Sequence, residues 1–462
     1  LDPAYEGQGK GKVYRVQWGE WFCPCQNSPR REEVKAVARE LADRYPIDAF
    51  HLDMFFNLGV CVCEHCRPHL ERILGTREVT CEGIYAHWAE YLAWRQQVSA
   101  SLIAELGAIL HPRGIALTPN AWCPLYTSPL FAVSPAWWEH LDAYVTEAWL
   151  RLAEDHADIH SSTLVCKWLR ALGLPAMFLV TGQHPGFCHA PLAGAELALH
   201  AAQARANGRP ILGPCGQGAY PSTRTSQEGL ATVRSVLAPY AAGAPASDRV
   251  PVRHIGVVWS EDTRNFYEPG LDARRYRYEF LGYCRSLLES HRLFDLLLPE
   301  RVQSEADLAG YELIVLPNVA CLDEPLAALL RQYVAGGGKL LCTWETGLCD
   351  RRGGRRADFL LGDVLGLRYS DRYSGATFYI ESEGEPVVCV GGAACVTPST
   401  ATVLARLVAP DPRYPDTGRD LVPGPVTPHP MVTRNAFGRG EAWYVAGSLG
   451  YAAYQTGYYQ NL

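Results

Sequence analysis

The chain has 462 residues, more than one hydrophobic core ordinarily serves, so two or three domains are expected. Apolar residues make up 48% and charged residues 20%, and no unbroken apolar run approaches the eighteen or so that a membrane helix needs, which argues against a membrane protein. The net charge of −7 comes without any Lys/Arg block, which argues against a nucleic-acid partner and favours a small neutral ligand.

From residue 12 to about 218, short apolar runs alternate with amphipathic stretches, the sign of consecutive βα units on a parallel sheet. Strands are expected near Val13–Gln17, Ala49–Phe55, Ile115–Pro119, Ala143–Glu147, Ala176–Thr181 and Ile211–Pro214, with helices such as Arg31–Arg44, Tyr85–Leu110 and Ala193–Ala206 between them. Polar residues stand where these strands end: Asp53, Asn120, Glu147, Gln183 with His184, and Gln217. A (β/α)8 barrel gathers its site from many strand ends, whereas an open sheet concentrates it at one crevice. The expectation is therefore a TIM-type barrel over residues 1–237, N-terminally incomplete by two βα units. The chain opens on Leu1-Asp2-Pro3 without Met, and an upstream segment is expected to precede it.

The Ala/Pro/Gly-rich stretch Ala238–Asp248 reads as a linker reaching residue 250. Beyond it, over 251–462, strands at His254–Trp259, Leu296–Leu298, Leu313–Leu316 and Lys339–Thr343 alternate with helices at Tyr276–His291, Glu305–Ala309 and Pro325–Ala335. This is a doubly wound α/β pattern, which the strand-rich residues 370–446 complete. The 16 Cys show no disulfide-scaffold spacing, so most read as small buried side chains in a reducing, cytoplasmic setting. Cys61-Val62-Cys63-Glu64-His65-Cys66 is the exception: three thiols in one loop suit a soft, tetrahedral ion such as zinc, which takes four thiolate or imidazole ligands. The alternative is a cluster of reduced, unmetallated cysteines.

Three segments carry a family resemblance over nearly the whole chain. They are Cys25-Gln26-Asn27-Ser28-Pro29-Arg30; His51-Leu52-Asp53-Met54-Phe55-Phe56 with the Cys-x-Cys-x-x-Cys run; and Gly256-Val257-Val258-Trp259-Ser260 with Thr263-Arg264-Asn265-Phe266-Tyr267. Together they resemble bacterial glycoside hydrolase relatives that join a family-42-like barrel to a β-galactosidase trimerisation domain. Within these, the sequence most resembles the group called hypothetical glycosyl hydrolase 6, itself similar to the α-L-fucosidases of family 151. The resemblance implies a carbohydrate substrate, a homotrimer, no organic cofactor, and a structural zinc on Cys25, Cys61, Cys63 and Cys66, with Cys23 and His65 as substitutes for the fourth ligand. It also implies that the second domain is similar to class I glutamine amidotransferase folds; Thr343-Trp344-Glu345-Thr346-Gly347 lacks the nucleophile elbow of that class, leaving Trp344 and Glu345 as contributors across a subunit interface.

Glycoside cleavage needs one carboxylate beneath the anomeric carbon and one carboxylic acid at the leaving oxygen, about 5 Å apart when configuration is retained. Asp53 is the expected nucleophile and Glu147, beside Trp149, the expected acid. Their bland alternatives are a carboxylate that braces a loop and a rim Glu paired with Arg151. Trp18, Glu20, Trp21, Asn120, Trp122, Trp149, Gln183 and His184 are the expected substrate contacts, and His51 reads as a core histidine. Family 42 β-galactosidases instead carry Glu after the fourth and seventh barrel strands, while an Asp after the fourth resembles the family 29 α-L-fucosidases. The expected activity is thus that of a retaining α-L-fucosidase-like glycoside hydrolase removing a terminal sugar from oligosaccharides or glycoconjugates. The alternatives are a β-galactosidase-like enzyme and a noncatalytic carbohydrate-binding or scaffold protein.

Overall fold

The computed structural model describes residues 13–16, 19–22, 25–55, 57, 60–148, 159–181, 183–184, 187–208, 211–215, 227–241, 251–268, 273–373, 375, 377–383, 386–413 and 422–456. It divides into two units, Leu1–Val250 with Pro269–Asp272 and Pro251–Glu268 with Ala273–Leu462. Among the described residues no helix is long and apolar enough to cross a membrane.

The first unit begins with β1 (Val13–Val16) and β2 (Gly19–Phe22), which pair antiparallel with Val16 opposite Gly19. The expectation of a parallel barrel strand at Val13–Gln17 is corrected: this register leaves two residues for the turn, enough for a hairpin but far short of a parallel crossover. Then come α1 (Arg30–Arg44), β3 (Ala49–Leu52), α2 (Arg67–Leu74), α3 (Cys81–Ala86), α4 (Trp88–Leu110), β4 (Ala116–Pro119) and β5 (Tyr144–Ala148). They are followed by α5 (Ser161–Leu172), β6 (Ala176–Thr181), the ribbon β7 (Gln183–His184) with β8 (Phe187–Pro191), α6 (Gly194–Ala206), β9 (Ile211–Cys215) and α7 (Gln227–Ala241). The stretch read as a linker from Ala238 therefore starts as helix, with Pro239 inside its last turn.

Strand β3 pairs parallel with β4, and β5 with β6 and β6 with β9. A parallel bridge between Asn120 and Val145 joins the two groups, so the order is β3-β4-β5-β6-β9. Much of the packing comes from α4, whose buried residues Tyr91, Leu92, Arg95, Val98, Ser99, Leu102, Ile103 and Leu106 recur at helical spacing. Between α5 and α6, the Ser162 hydroxyl and His200 Nδ1 lie 2.5 Å apart, with His200 only 2% exposed.

In the second unit β10 (Ile255–Val258) and β11 (Phe294–Leu297) are buried on both faces, as strands covered by helices on each side must be. The remaining elements are α8 (Glu261–Phe266), α9 (Arg274–Glu289), α10 (Glu305–Leu308), β12 (Leu313–Leu316), α11 (Glu324–Ala335), β13 (Lys339–Thr343) and α12 (Gly362–Leu365), then β14 (Leu367–Tyr373), β15 (Thr377–Ile380), β16 (Val387–Val390), β17 (Ala393–Pro398), β18 (Thr402–Pro410), β19 (Pro423–Phe437), β20 (Gly440–Val445) and α13 (Leu449–Thr456). One nine-stranded sheet runs β11-β10-β12-β13-β20-β19-β18-β15-β16; it is parallel as far as β20 and antiparallel beyond, while β14 and β17 pair apart from it. The parallel half has the strand order of a doubly wound fold.

Helices α9 and α13 touch backbone to backbone: a Cβ on Gly282 would sit 2.0 Å from the carbonyl oxygen of Gly450. Beside this contact the buried Glu279 accepts from Thr343 Oγ1 and from the Tyr451 amide, each at 2.8 Å, while burial pushes its carboxyl up to about 7. A Gly282→Ala chain should lose about 2 kcal/mol or more in denaturant unfolding, although alanine is the better helix former by about 1 kcal/mol. No loss would show that the helices are free to part.

Burial pushes the His200 imidazole down to about 4. An unfolded histidine titrates near 6.5, so the unfolded chain binds the extra proton and stability from the neutral ring, complete above that pH, is lost as pH falls toward 4. Urea unfolding should show about 3 kcal/mol of this loss, absent from a His200→Asn chain. Identical pH slopes for the two chains would contradict it.

Candidate functional site

The ends of β3, β4 and β5 are bound together through two peptide units. Asn120 N–H donates to the Leu52 carbonyl at 2.7 Å, Asn120 C=O accepts from Phe55 N–H at 2.9 Å, and Ala121 N–H donates to the Val145 carbonyl at 3.1 Å. On leaving β3 the chain turns at once, with Met54 in the left-handed region at φ 53, a strained conformation for a non-glycine residue. Asp53 is exposed at this turn, and its Oδ1 accepts from Asn120 Nδ2 at 3.0 Å. Two strands away the buried Glu147 accepts from Trp122 Nε1 at 3.0 Å. The Trp122 ring leans on Phe131 at 5.6 Å, and Phe55 meets Trp137 edge-on at 5.1 Å. Asn120 Oδ1 is buried and has no hydrogen-bond partner among the described residues, an acceptor in search of a donor.

Four of the residues singled out in the sequence, Asp53, Asn120, Trp122 and Glu147, thus stand together on consecutive strand ends. Trp18 and Trp149 lie outside the described residues, as do Cys23, Arg151, Gln217 and the side chains of Glu20, Trp21, Gln183 and His184. Glu20 and Trp21 belong to β2, and Gln183 and His184 to β7. His51 is exposed rather than in the core, because β3 pairs with β4 alone among the described strands; its Nδ1 is satisfied by Thr118 Oγ1 at 2.9 Å.

The four thiols of Cys25, Cys61, Cys63 and Cys66 all lie within 4.8 Å of one another, and Cys25 Sγ is 3.3 Å from Cys66 Sγ. A zinc ion with sulfur ligands at about 2.3 Å spaces them about 3.8 Å apart, so the set fits a tetrahedral metal. Hydrogen bonds from Cys25 and Cys66 pull the Cys61 thiol down to about 2, toward the thiolate that a metal takes. Asn27 N–H donates to Cys25 Sγ at 3.3 Å, and the buried Arg95 reaches Cys66 Sγ with Nη1 at 3.9 Å while its Nη2 donates to Asn57 Oδ1. Such N–H donors and a buried cation offset the negative charge that four thiolates place around a divalent ion. Sequence reading missed Arg95 and Asn57, although an arginine on the buried stripe Tyr91, Leu92, Val98, Leu102 was a legible signal.

In the second unit Trp344 and Glu345 are both fully buried, Trp344 in the left-handed region at φ 47. Glu345 accepts from Arg355 Nη2 at 2.8 Å, from Arg372 Nε at 3.1 Å and Nη2 at 2.5 Å, and from the Tyr267 hydroxyl. Burial works to raise this carboxyl, but its donors outweigh it and hold the group below the usual carboxylate range. Both oxygens are engaged within this unit, which makes Glu345 the centre of a closed ion cluster.

Residues 274–460 match the family profile of the β-galactosidase trimerisation domain. Among characterised proteins, β-galactosidase BbgII of Bifidobacterium bifidum is 31% identical over 184 residues, which is 37% of this chain and 24% of that protein. The chain thus matches about a quarter of the length of the curated relatives. Among solved structures, a catalytic mutant of Gan42B, a GH42 β-galactosidase from G. stearothermophilus, superposes with a TM-score of 0.70 at 16% identity, covering 98% of this chain and 74% of that one. The α-L-fucosidase isoenzyme 2 from Paenibacillus thiaminolyticus superposes at 0.68 and 17% identity, covering 95% and 63%. Sequence thus ties residues 274–460 to the β-galactosidase trimerisation domain, and over nearly its whole length the chain shares the fold of these solved glycosidases.

Proposed function

We propose that the chain is a glycoside hydrolase of β-galactosidase type, with its site at the ends of β3, β4 and β5. The observation that carries this reading is the pair of carboxyl groups, Asp53 and Glu147, each held by a side-chain N–H on the strand-end segment between them. The sequential parallel order β3-β4-β5-β6-β9 supports reading these strands as the wall of a (β/α)8-type barrel, since an open doubly wound sheet would reverse its order. In this reading Asp53 is the nucleophile of a retaining reaction, Glu147 the acid, and the unsatisfied Asn120 Oδ1 accepts from a sugar hydroxyl. Trp122 is an aromatic partner of Glu147, while the expected partner Trp149 lies outside the described residues.

The sugar is read as galactose because the sequence relative and the matched family profile are both of β-galactosidases. The α-L-fucosidase expectation is the weaker one: the likeness to a fucosidase is of fold alone and does not choose the sugar. By the same relationship the second unit is read as holding a homotrimer. The thiol set is read as a structural zinc site in a cytoplasmic protein, because four ligands close the coordination shell and leave no position for an activated water.

Aryl β-D-galactosides should be hydrolysed, and aryl α-L-fucosides much less. Glu147→Gln should lower kcat by about a hundredfold to ten-thousandfold on poor leaving groups, and Asp53→Gly should be inactive until azide restores turnover. Cleavage of the fucoside alone would overturn the sugar; sugar binding without turnover on any glycoside would leave a carbohydrate-binding protein.

Metal analysis of the purified chain should find about one zinc per chain. Its removal, or Cys66→Ser, should lower Tm without a proportionate loss of kcat in the molecules that remain folded. A chain free of metal and equally stable would overturn the zinc reading.

A further inference from the structure

Outside the sites described so far, the loops that follow β12 and β13 bring two cysteines face to face. Cys321 and Cys349 are register partners in an isolated parallel bridge, fixed by Cys349 N–H donating to the Ala320 carbonyl at 2.9 Å and Leu322 N–H donating to the Cys349 carbonyl at 3.2 Å. Residues so paired sit one strand spacing apart, about 4.8 Å between backbones, and point to the same side. A disulfide needs Cα atoms about 4.4–6.8 Å apart. Arg356 rivets the same two segments from one guanidinium, donating to the carbonyls of Cys349 and, at 3.0 Å, Leu322. The two residues are thus held at a register that a disulfide can span, and both cysteines are free.

We propose that Cys321 and Cys349 form a reversible disulfide site, closed by hydrogen peroxide and reopened by a dithiol reductant. The Cys349 thiolate attacks one peroxide oxygen; the O–O bond breaks and the departing hydroxide takes a proton to leave as water, with Cys349 now a sulfenic acid. The Cys321 sulfur then attacks the Cys349 sulfur, the S–O bond breaks, and the hydroxide leaves as a second water with the Cys321 proton. Two electrons pass from the thiols to the peroxide, and one S–S bond is made.

The assignment of roles follows from the surroundings. Cys349 is held below an ordinary thiol by the hydrogen bond from Cys321, with Arg355 and Arg356 adding to it against burial, while the same pairing and burial raise Cys321. That makes Cys349 the attacking sulfur and Cys321 the resolving one. Only 3% of Cys349 and 4% of Cys321 is exposed, so a small oxidant fits and a bulky disulfide reagent does not. The bond would tie the loop after β12 to the loop that carries Trp344, Glu345 and Arg355, on top of the closed ion cluster.

The test is peptide mapping of the native whole chain after hydrogen peroxide, with alkylation under denaturing conditions and digestion without reductant. The expected result is a peptide joined through Cys321 and Cys349, lighter by two hydrogens than its separate halves and absent after dithiothreitol. Tm should rise by several degrees with the bond. Glutathione disulfide on the folded chain should leave the pair unlinked. Recovery of both residues as alkylated thiols after peroxide, whatever the other cysteines do, would overturn the proposal. So would either one linked to another cysteine, or Cys349 found as a sulfinic acid. These outcomes come from the unaltered sequence; Cys349→Ser, which should leave Cys321 alkylated, is a second check.

Discussion

Everything in the candidate site of the first unit depends on how the peptide groups of Asn120 and Ala121 are used. Asn120 gives its N–H to Leu52 and its C=O to Phe55, and Ala121 gives its N–H to Val145. One short segment therefore locks the end of β4 to both neighbours at the level where their side chains leave the sheet. With the backbone so fixed, Asn120 Nδ2 falls on Asp53 and the next indole, Trp122, falls on Glu147. A site on strand ends is more precise than one on free loops, because hydrogen-bonded strands cannot shift independently. The left-handed turn at Met54 follows from the same lock: the chain must reverse directly after Asp53 for Phe55 N–H to reach the Asn120 carbonyl.

Two carboxylates in opposite settings, the buried Glu345 and the exposed Asp53, illustrate why one unit, rather than the other, carries the functional reading. Glu345 has donors from two arginines and a tyrosine, so nothing remains on it for a ligand to satisfy. Its surroundings are those of an internal ion cluster, where the loss of one partner is costly and the intact set is inert. At the ends of β3 to β5 the accounts stay open: Asn120 keeps an unmatched acceptor and Asp53 faces solvent. Polar atoms left unsatisfied at strand ends are what a ligand rich in hydroxyl groups can complete.

Periodicity made the strands of both units legible, because β10 to β13 are largely apolar runs and polar residues stand at or near the ends of the strands at Asp53, Asn120 and Glu147. It did not reveal the hairpin at Val13–Phe22, since apolar run and polar end read alike in a parallel and an antiparallel strand. Nor could it show that His51 is exposed: alternation gives the face of a strand, while exposure depends on what lies beside it. Three of the four thiols were visible as a motif and Cys25 through the family resemblance, but Arg95 and Asn57 were not assigned to them, being 29 and 9 residues from Cys66 with a contact made only in space. The pairing of Cys321 with Cys349 is of the same kind, a product of the register between two loops.

The thiol cluster and the carboxylate pair are also one mechanical problem. Among the described residues between Asp53 and α2, the segment is held by Phe55 on Asn120, Asn57 on Phe131 and Arg95, and the thiols on Cys25. Without such ties a loop of that length would let the Asp53 turn wander. Arg95 serves both halves, since one guanidinium bonds the Asn57 amide oxygen and faces the Cys66 sulfur from the buried side of α4. An ion held by the four thiols would act on Asp53 through this segment, by limiting where the loop can go. On that account a bound metal would affect the precision of the candidate site rather than its chemistry, and Arg95, which would balance the thiolates, also anchors the loop to the core.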